Sequence, residues 1–339
     1  MKKGMHLVFT VVLSLCLPLH AQTNKPKRDL SRPWYKRFVG NVGNEIGIIH
    51  IQKSYKNATI YIYTPTQKIQ FLDHNIIFFK DKIEAVFIDH QTEVEQIIKV
   101  VIKNDSLRGF LLSRYANIRI EAKEDYSKAT RVKLYEYSYV ERGEYPMVVG
   151  TANYFYHYSL YAVPEFLVQE FNRKMGDNFL KKCADGLKGE IEELKNNNTS
   201  HLTEQSYETV IYNQNNILVI AYGHSSYEGG AHGMYGSSYK HYDLEREKTI
   251  ELNDIFTGNY KPVLEAMLTK KAKEDGIPVY IDKVYLSDNF YIHPQGISFI
   301  YQPYEIAPYA AGVIEITLSY SDIQKILNPN GPHNRIIKK

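Results

Sequence analysis

The chain has 339 residues, with 41 basic against 38 acidic side chains and 44% hydrophobic residues. That length is enough for two domains with cores of their own. A formal charge of +3 with no basic block alternating with aromatics argues against nucleic acid as a partner, and 2 cysteines rule out a disulfide framework.

Lys2 and Lys3 open the chain, followed by the apolar "HLVFTVVLSLCLPL" and then "LHA" before Gln22. This order predicts a secretory signal peptide over residues 1–21, cleaved after Ala21. The apolar run is too short for a comfortable membrane span, and the mature chain carries no later one. Lipid attachment at Cys16 ranks below simple export, because bulky Leu15 stands where a small residue is wanted. Removal of Lys2 and Lys3 leaves 39 basic against 38 acidic residues, a charge of +1, and leaves Cys183 without a partner. The expected location is therefore periplasmic or extracellular, with stability resting on the core alone.

Residues 22–33, "QTNKPKRDLSRP", are polar and proline-bearing and read as a flexible leader. Residues 34–126 then read as a β-rich domain. The stretches "EIGIIHIQ", "NATIYIYT", "IEAVFID", "IIKVVIK", "LRGFLLS" and "NIRIEAK" alternate or run apolar between polar breaks. They predict an antiparallel meander forming a small barrel or sandwich. Residues 127–328 predict an α+β domain, an antiparallel sheet with helices packed on one face. Its first strands are "TRVKLYEYSYV" and "GTANYFYHYSLY".

From Pro164 to about Lys195, Leu167, Phe171, Met175, Phe179, Cys183, Leu187 and Ile191 recur four apart and predict a helix. A four-residue step drifts about 40° per step, so the helix should bend or break near Gly176, Gly186 or Gly189. Cys183 reads as a small buried apolar residue there. Strands follow at "SYETVIYN", "NILVIAYGHSSY" and "SSYKHYDLE". A second helix over residues 261–274 places Val263, Leu264, Met267 and Leu268 on one face, and Gly276 ends it. "NFYIHPQGISFIYQP" reads as two strands around a turn at Pro294 to Gly296. "GVIEITLSY" is another strand, "SDIQKIL" a last short helix capped by Ser321, and residues 329–339 a loose tail.

Two stretches carry chemistry-bearing residues. In "YEGGAHGMYG", Gly229 and Gly230 suit a tight turn, and His232 falls just past it near Tyr227. In "YQPYEIAPYAAG", Pro303 and Pro308 stiffen a segment bearing Tyr304, Glu305 and Tyr309, and Gly312 lets it lie flat against a neighbour. His232, Glu305, Tyr304, Tyr309 and Tyr227 are the candidate ligand-binding residues. His232 beside Glu305 would support acid–base work or hold a polar ligand. The structural alternative makes the glycine pair a hairpin corner and Glu305 a carboxylate pinning its loop through backbone N–H groups. His224, His232 and His241 match no familiar zinc spacing, with His224 expected roughly opposite Tyr235, so no metal and no cofactor is expected. Ser225 and Ser226 lie near histidines without the motif of a hydrolase elbow.

"EGGAHGMYGSSYKHYDLEREKTIELNDIF" and "FYIHPQGISFIYQPYEIAPYAAGVIEITLSYSDI" together resemble a bacterial extracytoplasmic domain of unknown function. That domain is shared by the anti-sigma factor RsiV and the N-terminal part of the deacetylase PdaC. The resemblance implies an α+β sensor or binding module outside the inner membrane. It does not imply deacetylation, which belongs to a separate module. The function expected is an exported cell-envelope protein that binds or senses a protein or glycan without catalysis. The alternative is an envelope hydrolase using His232 and Glu305.

Overall fold

A computed structural model describes residues 34–53, 58–72, 76–79, 82–89, 94–113, 116–145, 148–161, 203–227 and 231–337. The expected signal peptide, Cys16, the leader, the helical stretch with Cys183, and Gly229 and Gly230 lie outside the described residues. Residues 31–339 form one compact unit.

Among the described residues the strands form three sheets in an α+β fold. The first sheet holds nine antiparallel strands and is curled into a half-barrel. They are β1 (Trp34–Val42), β2 (Glu45–Lys53), β3 (Ala58–Tyr63), β4 (Lys68–Leu72), β5 (Ile76–Phe79), β6 (Lys82–Asp89), β7 (Val94–Lys103), β8 (Ser106–Ser113) and β9 (Asn117–Glu124). Their order is β4-β3-β2-β1-β9-β8-β7-β6-β5, so two meanders join where β1 pairs with β9. β1, β4 and β5 fall outside the stretches that alternation picks out.

Successive side chains of a strand point to opposite faces. Along β3, Ile60 and Ile62 enter the sheet's own core beside Phe38, Ile49 and Phe71. Tyr61 and Tyr63 point the other way and join the core of the C-terminal half. One sheet thus faces two cores.

The second sheet runs β10 (Val132–Tyr145), β11 (Val148–Tyr161), β12 (Thr203–Gln214), β13 (Ile217–Tyr227), β14 (Met234–Asp243) and β15 (Lys248–Thr249). β11 and β12 pair in parallel, against an expectation of antiparallel pairing throughout. β13 alternates between two cores, with Ile217, Val219 and Ala221 on one side and Leu218 and Ile220 on the other. His224 pairs with Gly236, one position beyond the expected Tyr235. The third sheet is β16 (Phe290–His293), β17 (Gly296–Tyr301) and β18 (Ile314–Ser319). Its first hairpin turns over Pro294 and Gln295, with His293 opposite Gly296.

Helix α1 (Leu252–Ile255) precedes α2 (Tyr260–Glu274). Leu264, Leu268 and Ala272 of α2 are fully buried and Met267 packs beside them. Val263 was expected on that face but is exposed; Glu265 and Ala272 are buried instead, turning the face past Val263. Gly276 takes φ +66° after the helix, and the N–H groups of Gly276 and Ile277 bond back to Lys273 and Ala272. That pattern is a Schellman stop, which favours glycine at this position.

Helix α3 (Tyr320–Ile323) is capped by Ser319, not by Ser321. The Ser319 hydroxyl accepts the Asp322 N–H while the Asp322 carboxylate accepts the Ser319 N–H. The last stretch is held rather than loose. Short helix α4 (Asn334–Ile337) carries Arg335, which pairs with buried Asp243 at 2.6 Å and with Glu245 at 2.6 Å. His333 is buried as well.

Polar joints tie the half-barrel to the second sheet. Arg37 is buried, and its guanidinium donates to the Asn213 and Asp125 carbonyls and to Gln214 Oε1. Burial, opposed by Tyr35 and Asp125, lowers its pKa from the usual range. Beside it, Tyr35 Oη meets His50 Nδ1 at 2.7 Å and accepts from Asn213 Nδ2 at 3.2 Å.

Candidate functional site

Strand β17 ends at Tyr301, and the next residue positions the site. The Gln302 carboxamide lies against β14, accepting the Ser237 N–H at 3.0 Å and donating to the Ser237 carbonyl at 2.7 Å. It replaces a missing strand neighbour. Gly236 makes this approach possible, because a Cβ there would stand 2.7 Å from Gln302 Oε1. Asn289 repeats the device two residues on, donating to the Ser237 carbonyl at 2.7 Å and accepting the Tyr239 N–H at 3.1 Å. The segment after Gln302 is thereby fixed beside the "AHG" corner.

Three of the five sequence candidates meet there. Tyr309 stacks on His232 with ring centroids 3.9 Å apart, and its hydroxyl donates to the Gly233 carbonyl at 2.6 Å. His232 Nδ1 lies 2.9 Å from the same carbonyl. A carbonyl only accepts, so Nδ1 carries a proton, and Nε2 lies 3.3 Å from Tyr304 Oη. The Tyr304 and Tyr309 rings lie 5.4 Å apart. Tyr227 stands at the mouth of the corner, its Cβ 3.5 Å from where a Gly233 Cβ would lie.

Glu305 is not part of that contact. Its Oε2 accepts the Gln302 N–H at 2.6 Å and its Oε1 accepts the Tyr285 hydroxyl. Both nitrogens of His232 and both oxygens of Glu305 thus have partners other than each other. Glu305 pins its own loop, as the structural alternative has it. Burial, and then the Glu305 carboxylate, push the Tyr285 hydroxyl pKa up, so Tyr285 remains a donor.

Sequence reading passes over Tyr235, Tyr280 and Tyr285. Tyr235 packs edge-on against Tyr309 at 5.7 Å, and its hydroxyl lies over Gly312. The Tyr280 hydroxyl donates to the Tyr304 carbonyl. Met234, Tyr235, Tyr280, Tyr285 and Tyr304 are all exposed. Together with His232 and Tyr309 they form one aromatic surface built from three chain segments. The signal for it was the tyrosine density of "PVYIDKVYL" and "GMYG", residue types that also suit half-buried strands.

Denser acid–base chemistry lies elsewhere and is closed. Ser298 Oγ sits 2.9 Å from His293 Nε2, 2.8 Å from Glu315 Oε1 and 2.8 Å from Thr317 Oγ1. Lys68 of β4 reaches Glu315 at 2.9 Å. Burial opposes the Glu315 charge, but Lys68, Tyr291 and Ser298 outweigh it and hold the carboxyl down at about 2. Burial, then Lys68, lowers His293 to about 4, so the ring is neutral. Ser298 and His293 are buried, so no substrate reaches this serine–histidine pair. The cluster fastens the half-barrel to the third sheet. Among the described residues, no group of three or more histidine, cysteine or acidic side chains is placed to hold a metal ion. No helix among them is long and apolar enough to cross a membrane.

Residues 253–321 match a family model described as "Protein of unknown function (DUF3298)". This part of the chain is similar to that family. It spans α1 to the start of α3 and includes Gln302, Tyr304, Glu305 and Tyr309, while His232 lies outside the matched span. Among solved structures, the chain is similar to a DUF3298 family member from Bacteroides fragilis, at 20% identity and TM-score 0.47, covering 63% of this chain and 100% of that one. It is also similar to a DUF3298 protein from Pseudomonas aeruginosa, at 15% identity and TM-score 0.42, covering 59% of this chain and 95% of that one. No curated protein matches the chain.

Proposed function

We propose that this is an exported cell-envelope protein, its signal peptide removed after Ala21, that binds or senses a protein or glycan without catalysing a reaction. The observation that carries the reading is the exposed surface of His232, Tyr235, Tyr304 and Tyr309, gathered from two segments and held by the Gln302 carboxamide. Tyrosines presented on a rigid frame offer large contact area at small entropic cost. The kinship with the extracytoplasmic domain of RsiV and PdaC belongs to the same proposal. It rests on the two quoted stretches, the second of which overlaps the matched DUF3298 span. The hydrolase alternative asks His232 and Glu305 to share a proton, and their hydrogen bonds go to different groups.

A photoreactive residue placed at Tyr304 in cells tests this. Capture of a protein or glycan is expected there. It is not expected at Phe110, 48% exposed on the half-barrel. Equal capture at both positions, or none at Tyr304, overturns the reading. Turnover of peptidoglycan fragments that disappears in a folded His232→Ala variant overturns its non-enzymatic part.

A further inference from the structure

Tyr304 sits where glycine is the cheap residue. Gln302, Pro303, Tyr304 and Glu305 form a turn closed by the Glu305 N–H on the Gln302 carbonyl at 3.0 Å. Proline takes the second position, and Tyr304, in the third, has φ +70°. This is the type II pattern, whose third position calls for the left-handed region. A bulky side chain there is strained, because its Cβ crowds the following carbonyl. Burial does not offset the strain, since Tyr304 is 52% exposed. Its hydroxyl meets His232 Nε2 at 3.3 Å and its ring lies 5.4 Å from that of Tyr309, contacts that both lie within the exposed surface. The fold gains little from a tyrosine here, and a strained, outward-facing ring of this kind marks a binding surface.

The two segments nearest Tyr304 carry almost no charge, while the third, with Tyr280 and Tyr285, adds Asp282 and Lys283, whose ammonium pairs with Glu265 at 2.6 Å. Residues 231–239 and 302–313 contain no lysine, arginine or aspartate, and Glu305 is their single acidic residue. Both oxygens of Glu305 are already taken by Tyr285 and by the Gln302 N–H. An anionic partner would meet no opposite charge in these segments, and a cationic one only the Glu305 carboxylate, whose oxygens already accept from Tyr285 and the Gln302 N–H. The surface suits a ligand with an apolar face and neutral hydroxyl groups.

We infer that this surface binds a neutral oligosaccharide, with one pyranose face lying on the Tyr304 ring and sugar hydroxyls donating to the oxygens of the neighbouring tyrosine hydroxyls. The inference rests on the binding reading above and narrows it to one ligand class. Sugar C–H groups present a positive edge to the ring face, as in other aromatic contacts.

The test uses the full exported chain and three neutral probes: N-acetylglucosamine tetramer, cellotetraose and maltotetraose. At least one should bind by calorimetry and transfer saturation to tyrosine ring protons. Tyr304→Gly should weaken that binding about tenfold or more while raising Tm by about 2 °C, because glycine relieves the turn. Tyr304→Phe should keep the affinity. A Tyr304→Gly protein that loses stability, or binds as tightly as the parent, overturns the assignment. So does failure of all three sugars. If the sugars fail while a residue at Tyr304 captures a protein in cells, only the ligand class is wrong. If both fail, the binding reading falls with it.

Discussion

Gln302 decides whether the tyrosine segment lies against the histidine corner at all. Its carboxamide donates to and accepts from the backbone of one residue, Ser237, a geometry that needs both an oxygen and an NH₂ group. Each such bond contributes about 0.5–1.5 kcal/mol net. Gln302→Ala should therefore cost about 1–3 kcal/mol in urea unfolding and loosen the Tyr304 ring, seen as averaged ring resonances. Gln302→Glu should be at least as damaging, because a carboxylate oxygen would face the Ser237 carbonyl. If Gln302→Glu unfolds at the parent's urea midpoint, the carboxamide is not what holds the segment. Nothing in the sequence marks Gln302, since its partner lies 65 positions away and is backbone. His232, Tyr304 and Tyr309 were legible because glycine and proline flank them, and such residues fix a loop. Glu305 was legible as a loop-pinning carboxylate, and only the choice between its two roles needed coordinates.

The same carboxamide device recurs between elements. Gln52 of β2 bonds the Glu208 carbonyl and the Val210 N–H of β12, and Asn213 bonds both backbone groups of Thr130. Backbone groups of β12 without a strand partner are thus closed by Gln52 from the half-barrel, and those of the loop residue Thr130 by Asn213, without another strand. Alternation reveals strands that are half-buried, such as β3 and β13. It reveals less in β1, where Arg37 and Phe38 are buried in succession on opposite faces. The cap of α3 is a clearer case of a signal misread. Ser319 with Asp322 and Ser321 with Gln324 both have capping-box spacing, and only the first pair closes, because the helix begins at Tyr320. Ser319→Ala should cost about 1 kcal/mol, and Ser321→Ala should stay within about 0.5 kcal/mol, both from chemical denaturation. The reverse order would return the cap to Ser321.

At the scale of the molecule, four histidines among the described residues are buried: His50, His241, His293 and His333. Burial, assisted by Arg37, holds His50 well below the usual histidine range. Burial lowers His241 to about 3, offset in part by the Phe290 backbone, and lowers His333 to about 4. Burial and Lys68 lower His293 to about 4. All four are neutral in the folded chain at pH 6, while unfolded histidine takes a proton near pH 6.5. Below pH 6.5 the unfolded chain therefore binds protons that the folded chain refuses. Stability must fall as pH drops from about 6.5 towards 4, by up to about 1.4 kcal/mol per pH unit for each histidine. Glu315 has the opposite charge type but adds to the loss at lower pH. Its folded value of about 2 lies under its ordinary 4.5, so the stability it contributes fades only as pH falls below that ordinary value. Among the shifted groups of the described residues, the window from 6.5 to 4.5 belongs to these histidines. Urea midpoints measured from pH 7 to pH 5 should fall steadily, and His293→Gln should reduce the slope by about one proton. A flat profile over that range would mean that these rings are protonated inside the fold.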